Sequence, residues 1–130
     1  MMYKMFVLDD DADRMAYIIH ILSREFPGCT IASASTLNSA KRMLQEDIFD
    51  VLFLDHDLGG MIYVPSENPD TGYQLAFHIW SNNIPYKKCI VHSLNYEGSM
   101  NILGRLRDCI WLPVTAWTPQ NLEFALRDVK

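Results

Sequence analysis

The stretch Val51-Leu52-Phe53-Leu54-Asp55-His56-Asp57 decides the fold class. Its four apolar residues predict a short strand, and the acids behind them predict an abrupt end at a polar edge. A strand that is apolar on both faces is typical of parallel sheets, whose two sides are covered by helices. The segment therefore predicts an α/β protein with a polar site at the end of this strand.

The same alternation of strand and helix extends outward in both directions. Further apolar runs at 5–8, 29–34, 89–91 and 110–112 predict four more strands, and residues with helical spacing follow each of the five. Five such units predict a flavodoxin-like, doubly wound parallel sheet of order 2-1-3-4-5 with helices on both faces. The 130 residues are the usual size of one hydrophobic core, so we expect a single domain over 1–130.

Composition narrows the function classes. A net charge of −5 argues against a dedicated binder of duplex DNA, because that task needs a basic face. Three widely spaced cysteines favour free buried thiols over a disulfide framework or a zinc site. No apolar run reaches the roughly 20 residues of a membrane span. We expect a cytoplasmic protein without membrane partners, and the oligomeric state stays open.

Three polar clusters follow the predicted first, third and fourth strands. They are Asp9-Asp10-Asp11, Asp55-His56-Asp57 and His92-Ser93-Leu94-Asn95. In the 2-1-3-4-5 order these strands are neighbours, and ligands of such sheets bind outside the carboxyl ends of the strands. The sequence therefore predicts one site built from all three clusters.

Several carboxylates at one edge repel one another unless a cation or protons compensate. Oxygen ligands from Asp10, Asp55 and a neighbouring carbonyl suit Mg²⁺ or Mn²⁺, which is the cofactor we predict. The alternative is that these aspartates only cap helices and solvate strand ends.

His92 and His56 are the two histidines beside these acids, and either can act as general acid or base near neutral pH. The alternative for each is a structural hydrogen bond across the strand ends. Ser93 and Asn95 can donate hydrogen bonds to a phosphoryl oxygen, or cap the helix that follows.

The loop over 58–70 is longer than a compact α/β connection needs, which is typical of a functional segment. We predict that it acts as a lid or specificity loop and holds Tyr63 over the site. Gly59 permits the close approach of a ligand or simply turns the chain. Tyr73 either stacks on a base or fills the core.

The chain resembles the receiver domains of two-component signalling over essentially its whole length. Asp9-Asp10 follows the first strand, Asp55 ends the third and Ser93 follows the fourth. Receivers carry a phosphate-pairing lysine after the fifth strand, where this chain has Leu112. This departure removes a charge-assisted contact to the phosphoryl group.

The blocks 55–59, 71–73 and 92–101 resemble the divergent cyclic-phosphate processing receiver-like family. That resemblance implies a metal-dependent phosphoesterase acting on cyclic phosphates of nucleotides or RNA ends. The site implied by the match is Asp9, Asp10, Asp55, His56, Asp57, His92, Ser93 and Asn95, with Asp9 and Asp57 as further metal ligands.

In one variant of this chemistry Asp55 attacks the phosphorus itself and becomes phosphorylated. The principal alternative function is a non-enzymatic or atypical receiver that has lost its switch. A haloacid-dehalogenase-like phosphatase, suggested by Asp9 and Asp11, ranks behind both, because its cap and its usual greater length are missing.

Overall fold

The computed structural model describes residues 2–129, which fold as alternating strands and helices around one sheet. In chain order the elements are β1 (Lys4–Leu8), α1 (Ala12–Glu25), β2 (Thr30–Ala34), α2 (Leu37–Glu46), β3 (Val51–Leu54), α3 (Gly72–Ser81), β4 (Lys88–Val91), α4 (Tyr96–Arg105), β5 (Cys109–Trp111) and α5 (Pro119–Leu126), with a 3-10 turn at Val114–Ala116 before α5.

All neighbouring strands pair in parallel, in the order β2-β1-β3-β4-β5, which confirms the predicted sheet. β3 has the predicted bounds and is buried at all four positions. In its centre, Phe53 is level with Val7 of β1 and Ile90 of β4. This register brings the carboxyl ends of the three central strands to one edge.

Two apolar cores cover the two faces of the sheet. Phe6 and Leu8 of β1 point into the core shared with α2, α3 and α4, whereas Met5 and Val7 point into the core shared with α1 and α5. The alternation follows from the two-residue repeat of a strand. The described residues include no helix with the length and apolar character needed to cross a membrane.

Threonine side chains cap three of the helices. The side chains of Thr36, Thr71 and Thr118 accept hydrogen bonds from backbone N–H groups three residues ahead, at the starts of α2, α3 and α5. Other details differ from the sequence-based expectation. β5 lies one residue earlier than predicted, and Cys29 and Cys109 are only half-buried, while Cys89 is buried as expected.

The long loop between β3 and α3 is closed at its base. Asp57 and Thr71 form an isolated antiparallel bridge, and Gly72 donates its N–H to the His56 carbonyl at 2.7 Å. A Cβ on Gly72 would lie 1.8 Å from the Asp55 carbonyl oxygen, so only glycine permits this approach. The loop therefore leaves and rejoins the sheet at one point, directly beside the polar edge.

Candidate functional site

A cavity of about 410 Å³ opens at the carboxyl ends of β1, β3 and β4. Its deeper wall is polar and its rim is apolar, with Met61, Ile62, Tyr63 and Leu94 all more than half exposed. The lining residues are Asp10, Asp11, Arg14, Asp55, Asp57, Gly60, Met61, Ile62, Tyr63, His92, Ser93, Leu94, Asn95 and Val114.

Asp9 is the centre of a buried cluster that we call the Asp9 network, consisting of Asp9, Arg14, Asp55 and His92. The Arg14 guanidinium holds both Asp9 oxygens, with Nε at 2.7 Å and Nη2 at 2.8 Å. Nη2 also donates to Asp55 at 3.1 Å, and His92 Nε2 lies 2.9 Å from Asp9 Oδ2. One arginine thus bridges the acids that end β1 and β3.

The two acids of this network titrate in opposite directions. Burial alone would raise the pKa of Asp9, but hydrogen bonds from His92 and Arg14 outweigh it, and the pKa is lowered. Burial raises the pKa of Asp55 to about 6, and the charge of Asp9 adds to this against the opposing charges of His92 and Arg14. Asp9 is therefore the anchored anion, and Asp55 is the acid that can change charge near neutral pH.

His92 follows β4 directly, is buried and lines the cavity. Because Asp9 is a strong acceptor, we assign the Nε2 proton of His92 to this hydrogen bond. In the neutral form of the ring Nδ1 then carries a lone pair, and within residues 2–129 this buried atom has no hydrogen-bond partner. The arrangement is that of an oriented histidine with one nitrogen left to accept a proton.

His56 belongs to a second cluster, the His56 network, made of His56, Asp57, Ser66, Asn95 and Asn101. Its Nδ1 lies 3.0 Å from Asp57 Oδ1, and its Nε2 lies 2.9 Å from Ser66 Oγ. Asn101 donates to the same Ser66 oxygen at 2.8 Å. Both nitrogens of His56 are therefore satisfied inside the protein.

The other members of the His56 network are equally occupied. Asn95 caps α4 by accepting from Gly98 N at 2.9 Å, and its amide donates to Asp57 at 2.9 Å. Asp57 also accepts the N–H groups of Tyr63 and Val64 at 2.6 and 3.1 Å. Burial alone would raise the pKa of Asp57, but hydrogen bonds from His56 and Asn95 lower it. These contacts give Asp57 and Asn95 the task of fastening the long loop to α4.

The metal prediction can be tested against the donor atoms. Among the described residues, Asp9, Asp55 and His92 can each offer one ligand atom within 4.8 Å of the others. Two carboxylates and an imidazole fit a divalent ion, and the imidazole favours Mn²⁺ over Mg²⁺. In this structure the Arg14 guanidinium already bonds both carboxylates, so an ion has to share them with it or displace it. Asp10 and Asp57, which were also predicted as ligands, do not join this group.

Of the remaining predicted residues, Asp10 and Ser93 line the cavity, whereas Gly59 and Tyr73 do not. Asp10 accepts Gly60 N at 2.6 Å, which ties the loop to β1, and Ser93 lines the cavity. Gly59 adopts φ +73°, so it turns the chain, and it does not line the cavity. Tyr73 lies away from it as well, because its ring packs against the core and its hydroxyl accepts from Arg105.

Arg14 is the functional candidate that the sequence reasoning missed. It stands in the first turn of α1, where a cation opposes the helix dipole. A basic residue at that position, just behind three aspartates, is the signal that could have found it. Its guanidinium is one-third exposed and lines the cavity, so the site has a fixed cation although Leu112 replaces the expected lysine.

The parallel sheet of order β2-β1-β3-β4-β5 has the flavodoxin-like topology that is also found in receiver domains. A family model described as the cyclic-phosphate processing receiver domain matches residues 4–108, which confirms the resemblance seen in the sequence. The chain belongs to that family. No curated protein matches the chain.

Solved structures support the same fold. The N-terminal domain of an uncharacterized Wolinella succinogenes protein is 20% identical, with a TM-score of 0.71, over 96% of this chain and 90% of that one. The Vibrio cholerae chemotaxis protein CheY4 is 18% identical, with a TM-score of 0.71 and full coverage of both chains. A receiver domain from a Pseudomonas aeruginosa sensor histidine kinase, which has magnesium coordinated in its active-site cleft, is 13% identical at 0.71, over 99% and 98%.

Proposed function

We propose that the protein is a phosphoesterase that opens cyclic phosphates of nucleotides or RNA ends with the help of a divalent ion. The observation that carries this proposal is the cavity itself, which combines a deep acid, arginine and histidine cluster with an apolar rim. A phosphoryl group suits the cluster and a nucleobase suits the rim. The family membership supports the same substrate class.

The reaction adds water across one ester bond. A bond forms from the water oxygen to phosphorus while the water loses a proton. One P–O bond to the ribose breaks, and the ribose oxygen that leaves takes up a proton to become a hydroxyl. Asp9, Asp55 and His92 would hold the ion, which when bound supplies charge neutralisation and an acidified water.

The chain's own residues account for binding and proton transfer. The one-third exposed Arg14 binds non-bridging phosphoryl oxygens, and Ser93 donates its hydroxyl proton from the cavity wall. The hydrogen bond that His92 Nε2 donates to Asp9 orients the ring and leaves Nδ1 as the nitrogen that can accept a proton. Tyr63 and Leu94 contact the base at the rim.

The test is a turnover assay on 2′,3′-cyclic mononucleotides and on short RNAs that end in a 2′,3′-cyclic phosphate. Each substrate is incubated with Mn²⁺, Mg²⁺ or EDTA, and the monoester product is separated by anion exchange. We expect turnover that requires a divalent ion and is lost in Asp55→Asn. Absence of turnover on the whole panel would show that the proposal is wrong.

A second candidate function is an atypical receiver without enzymatic activity. Arg14 favours it, because a guanidinium bonded to Asp55 can also stabilise a phosphorylated or a permanently unphosphorylated state of that acid. Incubation with phosphoramidate and Mg²⁺ separates the two. An adduct on Asp55 that is labile to hydroxylamine and alkali, in a protein that turns over no cyclic phosphate, supports the receiver function.

A further inference from the structure

Apart from the cavity, an aromatic and basic surface lies on the face formed by α3 and α4. It consists of Phe77, Trp80 and Arg105, which we call the Trp80 platform. The Arg105 guanidinium stacks 4.6 Å from the centroid of Trp80 and 5.6 Å from that of Phe77. Trp80 nevertheless stays 52% exposed and Phe77 44% exposed. Such large aromatic surfaces in solvent beside a cation suit stacking of nucleobases.

Arg105 differs from the neighbouring arginine in its charge balance. Arg107 pairs with Asp108 at 2.7 Å, whereas no carboxylate in the described part of the chain pairs with Arg105. Its Nε is buried without a hydrogen-bond partner among these residues, and one Nη2 proton goes to the neutral Tyr73 hydroxyl. In a chain with a net charge of −5, this unneutralised guanidinium is a local attraction for an anion.

A row of pockets with shared lining residues, which we call the α4 groove, runs along α4 from the cavity to the Trp80 platform. A neighbouring pocket shares Tyr63, Leu94 and Asn95 with the cavity. The next pocket shares Ser66, Glu67 and Asn101 with that one. Arg105 lines both this pocket and the last one, which contains Trp80.

The length of this groove sets the size of its ligand. α4 has ten residues between its cap at the cavity and its end at Arg105, which is about 15 Å at the usual helical rise. That distance corresponds to roughly four stacked nucleotides of one strand. A mononucleotide in the cavity cannot reach the platform.

From this connection we infer that the α4 groove and the Trp80 platform bind the single-stranded RNA that precedes a 3′-terminal phosphate held in the cavity. Bases stack on Trp80 and a backbone phosphate pairs with Arg105. The inference rests on the proposed function for the identity of the terminal group. Glu67 in the middle of the groove disfavours phosphates there, which places the backbone contact at Arg105.

The experiment measures binding of fluorescein-labelled oligoribonucleotides of one to eight nucleotides by anisotropy, with 3′-hydroxyl and 2′,3′-cyclic phosphate ends. We expect affinity to rise up to about five nucleotides and then level off. Trp80→Ala and Arg105→Ala should each weaken binding of the longer RNAs about tenfold. Turnover of a cyclic mononucleotide should stay unchanged in both.

Phe124 and Arg127 on the other face of the sheet provide a matched control. Arg127 stacks 5.0 Å from the ring centroid of Phe124, which is 69% exposed, but neither lines the groove. Phe124→Ala and Arg127→Ala should leave RNA binding unchanged. Trp80→Phe should retain most of the RNA affinity that Trp80→Ala loses. Melting curves show which variants are folded.

The outcomes separate this inference from the proposed function. If 3′-hydroxyl RNAs bind in a length- and Trp80-dependent manner but no cyclic phosphate is opened, the groove is an RNA site and the enzyme proposal fails. If cyclic mononucleotides turn over while the platform variants bind RNA as tightly as the controls, the platform is not an RNA site. The same holds if affinity is independent of length.

Discussion

The Asp9 network and the His56 network are two histidine–aspartate clusters at the ends of adjacent strands. They differ in whether their hydrogen-bonding groups all have partners within the protein. In the His56 network both ring nitrogens have partners within the chain. In the Asp9 network one nitrogen of His92 has none among the described residues, and a partly exposed guanidinium lies on a cavity. A fully satisfied buried network stabilises one conformation, whereas an incomplete one is suited to bind something.

The largest expected effect distinguishes the two histidines by activity. His92→Gln keeps a donor for Asp9 but removes both the imidazole ligand and the proton acceptor, so we expect kcat on a cyclic nucleotide to fall by about 10²- to 10⁴-fold. His56→Gln, assayed per folded molecule, should retain kcat within about threefold. Equal losses in both variants would mean that the two networks do not divide their tasks in this way.

The second prediction tests the packing of the His56 network by its effect on stability. A Cβ on Gly98 would lie 2.4 Å from Cγ of the buried His56 ring, so Gly98→Ala should destabilise the fold by about 3 kcal/mol. Gly104→Ala in the same helix meets open space and should instead stabilise it by up to about 1 kcal/mol. Urea unfolding of both variants measures the difference, and similar values for the two would contradict the packing described for His56.

The third prediction concerns the two acids of the Asp9 network. The raised pKa of Asp55 means that its ionised form costs stability, which is lost as pH rises from 3.8 towards 6. In EDTA at pH 8, Asp55→Asn should therefore stabilise the fold by about 2 kcal/mol, and this gain should disappear near pH 4. Asp9 has the opposite sign.

Because the pKa of Asp9 is lowered in the fold, its ionised form contributes stability above its ordinary pKa, and this contribution is lost as pH falls. Asp9→Asn should thus destabilise the fold at pH 8. Thermal melts of both variants between pH 4 and 8 provide the comparison. Two variants that shift in the same direction at pH 8 would show that the acids are not held differently.

The smallest expected effect tests the outer part of the His56 network. Ser66→Ala removes the hydroxyl between His56 and Asn101, so we expect a loss of about 1 kcal/mol in unfolding free energy. Its effect on kcat should be small, because Ser66 does not line the cavity. Ser23→Ala, at an exposed position of α1, serves as the control. A fall in kcat that is larger than the loss of folded protein explains would assign Ser66 to the reaction.

The fold could be predicted well because each signal was local. Val51–Leu54 is apolar at every position, and Thr36, Thr71 and Thr118 stand directly before helical spacing. The start of α4 was harder, since Asn95 serves as a cap and as a partner of Asp57 at once. Such a double role depends on contacts across the fold.

The site was predicted in its acids and histidines and in Ser93, Asn95 and Tyr63, but not in its arginine. Convergence of Asp9, Asp55 and His92 followed from strand order alone. Whether a histidine is enclosed or open depends on what lies above it, and for His56 that is Gly98, which is 42 residues away along the chain. Arg14 was missed because a charged residue on an amphipathic helix is normally counted with the solvated face.

The closed base of the long loop has a consequence for how this domain can diversify. Because Asp57 and Thr71 are paired and Gly72 is bonded to His56, the loop leaves and rejoins the sheet at one point, and a change in its length need not disturb the strands. Lengthening such an excursion costs only about 0.6 kcal/mol per doubling. Residues of the apex at 59–63 can therefore be exchanged while the Asp9 network keeps its geometry, which makes the segment a natural point for changing what the cavity binds.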